Sequence, residues 1–178
     1  MIEERRLRKK IVIPEGIDVE VDETLTVRKG KLSVQKKLFY PTVEIKKQDG
    51  AIILQPKRMT KNEKRIINTF RAHIINMIRG IQEPFVYKVK ICSSHFPMSV
   101  SIEGKTLVIK NFFGEKVPRR AFIHENVEVK IDGDTIVISS PDIERAGQTA
   151  ANFEQGTRIT NRDRRVFQDG LWIVEKGA

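Results

Sequence analysis

Four arginines fall within eight positions, Arg158, Arg162, Arg164 and Arg165, with only Asp163 against them. Guanidinium groups at this density suit phosphate recognition, because each is a planar, permanently charged donor fork. A second cluster, Lys105, Lys110, Lys116, Arg119 and Arg120, opposes Glu115 and carries Asn111-Phe-Phe-Gly at its centre. Cations there can neutralise phosphates while an exposed aromatic stacks on a base. Between the clusters, Gln148, Asn152 and Gln155 recur at helical spacing. Amides in such a row can bond sugar hydroxyls and base edges.

Other groupings promise less. Cys92-Ser-Ser-His95 offers two metal ligands where a closed zinc site needs four, and no nucleophile signature surrounds it. Glu103-Gly104-Lys105-Thr106 ends like a phosphate-binding loop, but position 99 is a serine where that motif requires glycine. The chain is therefore expected to be no enzyme and to need no cofactor or metal.

The charge distribution sharpens this reading. The 178 residues carry a net charge of +10, but residues 1–90 hold 21 Lys and Arg against 11 Asp and Glu, while residues 91–178 hold 12 of each. Both clusters thus lie in a half with no net charge, the mark of a localised contact. The overall excess favours a polyanionic partner. A single cysteine excludes an internal disulfide and suits a reducing compartment. No apolar run approaches the roughly 18 residues of a membrane span, and the opening residues lack a signal-like apolar segment. A soluble, cytoplasmic protein is expected.

The positioning elements repeat. Ile13-Pro14 returns as Phe96-Pro97, Val19-Glu20 as Ile102-Glu103, and Leu25-Thr26-Val27 as Leu107-Val108-Ile109. Val43-Glu-Ile-Lys46 returns as Val127-Glu-Val-Lys130, and Ile52-Ile-Leu54 as Ile136-Val-Ile138. Five matches in one order predict a tandem duplication. Alternating stretches such as 17–21, 43–47, 87–91 and 127–131 read as half-buried strands. Gln48-Asp-Gly50 and Asp132-Gly-Asp134 read as hairpin turns, and Arg28-Lys-Gly-Lys31 as a basic turn.

A helix should start at the capping box Thr60…Glu63, with Ile66, Ile67, Phe70, Ile74, Ile78 and Ile81 as its buried stripe. Lys61, Lys64, Arg65, Asn68 and Arg71 fall on its other face. A second helix should start at Ser140 and Pro141 and bury Ile143, Ala146, Ala150 and Phe153. Gly147 and its small neighbours would admit a close sheet, and the arginine arm would leave this helix just after Gly156. The expected fold class is α+β, with two tandem duplicated domains. Each is an antiparallel-rich β-sheet with one α-helix packed on one face, over residues 1–81 and 82–178.

Beyond these patterns the chain resembles a known family, the universal large-ribosomal-subunit protein numbered six in bacteria and nine in eukaryotes, in its archaeal form. The resemblance covers nearly the whole length. It rests on Val27-Arg-Lys-Gly-Lys-Leu-Ser33, on Asn111-Phe-Phe-Gly-Glu-Lys116, on Gly147-Gln-Thr-Ala-Ala-Asn152 and on Asp163-Arg-Arg-Val-Phe-Gln-Asp-Gly170. Bacterial members end in a glycine- and lysine-rich segment, so their tail contacts do not carry over to this arginine-rich end. The resemblance implies a structural, rRNA-binding protein of translation near the stalk base and the factor-binding centre, beside other proteins of the large subunit. It also implies that the second domain makes the main RNA contacts. Lys105, Lys110, Lys116, Arg119, Arg120, Arg158, Arg162, Arg164 and Arg165 would then meet phosphates, with Gln148 and Asn152 adding finer contacts. The alternative is an adaptor that docks acidic proteins on Lys61, Lys64, Arg65 and Arg71.

Overall fold

A computed structural model of the chain describes residues 8–177 apart from Glu23, Lys31, Asp49 and Met59. Lys31 of the expected basic turn and Asp49 of the expected hairpin turn lie outside the described residues. The chain divides into two compact units, one ending at Glu83 and the other starting at Pro84.

In the first unit β1 (Lys9–Val12), β6 (Ala51–Pro56) and β5 (Val43–Gln48) form one antiparallel sheet in the order β1-β6-β5. A second sheet has the order β2-β3-β4, from Asp18–Val21, Leu25–Lys29 and Leu32–Lys36. Helix α1 (Lys61–Gln82) packs against both. Its buried residues include Ile67, Phe70, Ile74, Met77, Ile78 and Ile81, which join Val19, Leu25, Val27, Ile52 and Leu54 in one core. Each such side chain contributes about 1.5–3 kcal/mol through its burial.

The start of α1 follows its sequence signal. Thr60 is the cap and its hydroxyl accepts from the Asn62 amide. Glu63 turns back to accept from the hydroxyls of Thr60 and, at 2.8 Å, Thr42. Those hydrogen bonds hold its carboxyl below the usual carboxylate range.

The second unit repeats the plan and adds a strand. β8 (Ser99–Glu103), β9 (Thr106–Lys110) and β10 (Arg119–Phe122) form one sheet, ordered β10-β9-β8. The other is ordered β11-β12-β7-β13, from β7 (Phe85–Cys92), β11 (Glu128–Asp132), β12 (Thr135–Ser140) and β13 (Gly170–Glu175). β7, β12 and β11 correspond to β1, β6 and β5, and β13 has no counterpart among the described strands of the first unit. Helix α2 (Ile143–Gly156) packs on β7, β10, β12 and β13 and buries Ala146, Thr149, Ala150 and Phe153.

Three sequence expectations shift. Each unit splits its strands between two sheets instead of one, and the helix covers both. The cap of α2 is Asp142, whose carboxylate accepts from the Glu144 amide at 2.9 Å. Ser140 ends β12 instead, and its hydroxyl donates to the Asn126 carbonyl at 2.8 Å. The equivalence of Val19 with Ile102 also slips by two positions, because Val19 lies opposite Val27 whereas Val100 lies opposite Ile109. Between the equivalent pairs Val21↔Leu25 and Ile102↔Leu107 the second unit has one residue more, and that length difference hides the register from a sequence match.

Candidate nucleic-acid interface

Three segments converge where α2 ends: residues 93–98, residues 111–118 and the loop 157–169. Arg119 rivets the second to the third. Its Nε and Nη2 donate to both oxygens of Glu115, at 2.8 and 2.6 Å, and its Nη1 donates to the carbonyls of Gly156 and Arg158, at 3.2 and 3.1 Å. The guanidinium carbon also sits 4.3 Å from the centroid of Phe112, which is 2% exposed. With four N–H groups engaged internally, Arg119 positions the segment, and its contact with a phosphate would require displacing Glu115.

The arginine segment is not the projecting arm that its sequence suggests. Thr157, 4% exposed, ends α2, and its hydroxyl oxygen accepts from the Leu171 amide at 2.9 Å. Residues 158–170 are thereby closed at their base, and the far side continues as β13, paired with β7 from Gly170↔Cys92. At the tip, Asp163 accepts from the Arg165 amide, and its own carbonyl accepts from the amides of Val166 and Phe167.

Asp169 anchors the descending limb. It is 3% exposed and accepts from the Ser94 amide at 2.6 Å, the Ser94 hydroxyl, the His95 amide at 3.1 Å and the His95 ring nitrogen Nδ1 at 3.1 Å. Burial opposes the charge on this carboxyl, but the bonds from Ser94 and His95 outweigh it and hold the group below its ordinary value. Ser94, His95 and Asp169 are the residue types of a hydrolytic triad, but the geometry is wrong for one. Ser94 Oγ and Asp169 both reach the same ring nitrogen, and the hydroxyl donates to the carboxylate. A general base needs its nucleophile on the opposite nitrogen. The arrangement ties loops together.

Aromatic rings line the closed loop. The Arg162 guanidinium lies 5.1 Å from the centroid of Phe113 and 4.9 Å from that of Phe167, while the His95 and Phe167 rings are 4.8 Å apart. Arg164 lies 5.4 Å from the Trp172 ring, whose Nε1 donates to the Gln168 carbonyl at 2.9 Å. A cavity of about 190 Å³ opens there, lined by residues that include Gln155, Arg158, Arg164 and Trp172. Arg165 pairs with Asp163, Nη2 to Oδ2 at 2.8 Å, although its side chain is 90% exposed. Lys116, Arg120 and Arg158 are exposed.

The remaining expected residues separate into two groups. Gln148 donates to Asn152 at 3.1 Å, and Asn152 donates to the Phe122 carbonyl at 3.1 Å, so this amide pair fastens α2 to the end of β10. Gly147 allows the close packing its size suggests, since a Cβ there would lie 3.1 Å from Tyr87 Oη. Lys105 follows Gly104 (φ +61°) in the two-residue β8–β9 turn and pairs with Glu125 at 3.1 Å. The length of β9, roughly 15 Å, separates it from the arginine loop. Lys110 reaches back to Glu103 at 3.9 Å.

Sequence reasoning missed Ser94, His95, Thr157, Phe167, Asp169 and Trp172 as parts of this end of the unit. The apolar run Leu171-Trp-Ile-Val174 was the available signal for β13. Among the described residues no three His, Cys, Asp or Glu side chains gather as a metal site, and no helix is long and apolar enough to cross a membrane.

Comparison with known proteins identifies the architecture. The family described as Ribosomal protein L6 matches residues 13–84 and again 96–170, one match in each compact unit. The chain belongs to the ribosomal protein L6 family. Its relatives include the large ribosomal subunit protein uL6 of Methanococcus vannielii, 42% identical over 97% of this chain and 95% of its own length. The proteins of that name from Haloarcula marismortui and Halobacterium salinarum are also 42% identical, over 95% and 96% of this chain and 96% and 97% of theirs. Membership in the L6 family makes the chain a structural ribosomal protein and not an enzyme. Its similarity to archaeal members agrees with the form suggested by its motifs.

Proposed function

We propose that this protein is a structural constituent of the large ribosomal subunit that binds folded rRNA through the second unit, at the end where α2 stops. It would act on cytoplasmic ribosomes near the stalk base and the factor-binding centre, beside neighbouring ribosomal proteins, as the family resemblance implies. The observation that carries the reading is convergence. In a half of the chain with no net charge, Lys116, Arg158, Arg162, Arg164 and Arg165 stand on two loops joined by Arg119, and Arg120 follows it at the start of β10. Coulomb attraction is local at physiological salt, with a Debye length of about 8 Å, so the arrangement of these cations matters more than the total.

The rings beneath the arginines add a second property. Guanidinium groups held over Phe113, Phe167 and Trp172 lose side-chain freedom before binding, which lowers the entropic cost of fixing them on phosphates. A fixed constellation reads the shape of an RNA fold, as expected for a protein of this kind. Lys105 and Lys110 would contribute from the flank, and Gln148 and Asn152 chiefly by orienting α2.

The test is rRNA binding across a salt series with Arg162→Ala and Arg164→Ala combined. The expected outcome is weaker binding and a salt slope lower by about two, one for each phosphate contact removed. An unchanged slope would exclude both residues from the interface.

A further inference from the structure

The least engaged row of cations lies in the first unit. On α1, Lys61, Lys64, Arg65, Arg71 and Arg79 are all exposed, as are Asn68 and Ala72 between them. At 100° per residue these positions fall within about one third of the helix circumference. Lys61 to Arg79 spans about 27 Å at 1.5 Å per residue. Glu63 is the sole acid of α1; it is buried and held by Thr60 and Thr42. Among the described residues none of these five cations forms an ion pair, whereas Lys105, Lys110, Arg119, Arg145 and Arg165 of the second unit all do.

We propose that this face of α1 is a second nucleic-acid contact, one that follows the phosphate backbone of RNA without reading its sequence. Three features select RNA over an acidic protein. The row bears one sign of charge along its full length, matching a linear polyanion. It contains no exposed large hydrophobic residue, although Val12, Leu32 and Phe39 elsewhere in the unit are exposed. Protein interfaces, by contrast, are built round aromatic or aliphatic anchors and are depleted in lysine. Finally, the opposite face of α1 is fixed in the core by Ile67, Phe70, Ile74 and Ile78, so the backbone that carries the row is set in advance and only its side chains are ordered on contact. This contact is independent of the one in the second unit, and the two are separable by experiment.

The experiment uses the full chain and in vitro transcribed archaeal large-subunit rRNA across a salt series. Lys61→Ala, Lys64→Ala, Arg65→Ala and Arg71→Ala are combined in one variant. Its salt slope should fall by about three to four, with helicity and melting midpoint kept because all four sites are exposed. The charge-keeping variant, with Lys61→Arg, Lys64→Arg, Arg65→Lys and Arg71→Lys, should retain the slope. A slope unchanged in the alanine variant overturns the proposal. So does an equal fall when Arg8, Lys10, Lys29 and Lys37 are neutralised, since that outcome reports diffuse charge. Loss of a nuclease-resistant complex with an acidic protein, at unchanged rRNA slope, overturns it in favour of protein docking. If the Arg162 and Arg164 variant loses binding while the α1 variant keeps it, the second-unit reading stands alone. A full chain that binds no rRNA overturns both.

Discussion

At the scale of single residues, charge and engagement are different properties. Arg119 and Arg120 are neighbours of the same type, yet Arg119 donates four hydrogen bonds inside the unit while Arg120 is exposed. Asp169 shows the converse, an acid whose role depends on residues 74 and 75 positions away. Asp169→Ala would leave the amides of Ser94 and His95 without their acceptor, at a cost of about 1–3 kcal/mol. Chemical denaturation at pH 7 measures it, and faster amide exchange at Ser94 and His95 would locate it. The pH dependence has a defined sign. The folded-state carboxyl titrates below its ordinary value near 4, so its contribution is complete above that pH and fades as pH falls through the folded value. The gap between the variant and the natural protein should therefore narrow only below about pH 4.

Among the elements, the apolar stripes were the most legible and the ends the least. Ala146, Ala150 and Phe153 are buried as their spacing predicts, because a helix against a sheet can hide only one face, whereas Ile143, in the first turn, is only half-buried. Its cap was misread because Ser140, Pro141 and Asp142 all suit a helix start, and the choice fell to β12, which continues through Ser140 to pair with Phe85. Phe153 is fully buried. Phe153→Ala should cost about 3–5 kcal/mol in denaturant unfolding, whereas exposed Gln148→Ala should change stability by less than about 1 kcal/mol. Equal effects would mean that α2 is not seated by its apolar stripe. β13 escaped notice because a strand on the outside of a sheet is defined by its partner. Gly170–Glu175 is a short apolar run until β7 is beside it.

Over the whole molecule, the duplication gives two units of one plan with unlike surfaces. In the first, β1 is an edge strand and cations line one helix face. In the second, β13 covers the corresponding edge of β7 and closes the arginine loop against the end of α2. Because the second unit has its own core, a fragment starting at Pro84 should fold by itself and retain rRNA binding. Circular dichroism and binding across a salt series would check both points. Its salt slope should be lower than that of the full chain by the share carried by α1, and a fragment that stays unfolded would show that the second core does not suffice.

The sequence by itself determined the repeat, the α+β class, the buried stripes and the segments where cations cluster, since all of these are written in local spacing and residue type. Only the tertiary structure decided which cations are engaged, that the basic arm is a closed loop, and that Asp169 and Thr157 fasten it. Each of those depends on which distant backbone groups and rings come within about 3–5 Å, and local spacing carries no record of them.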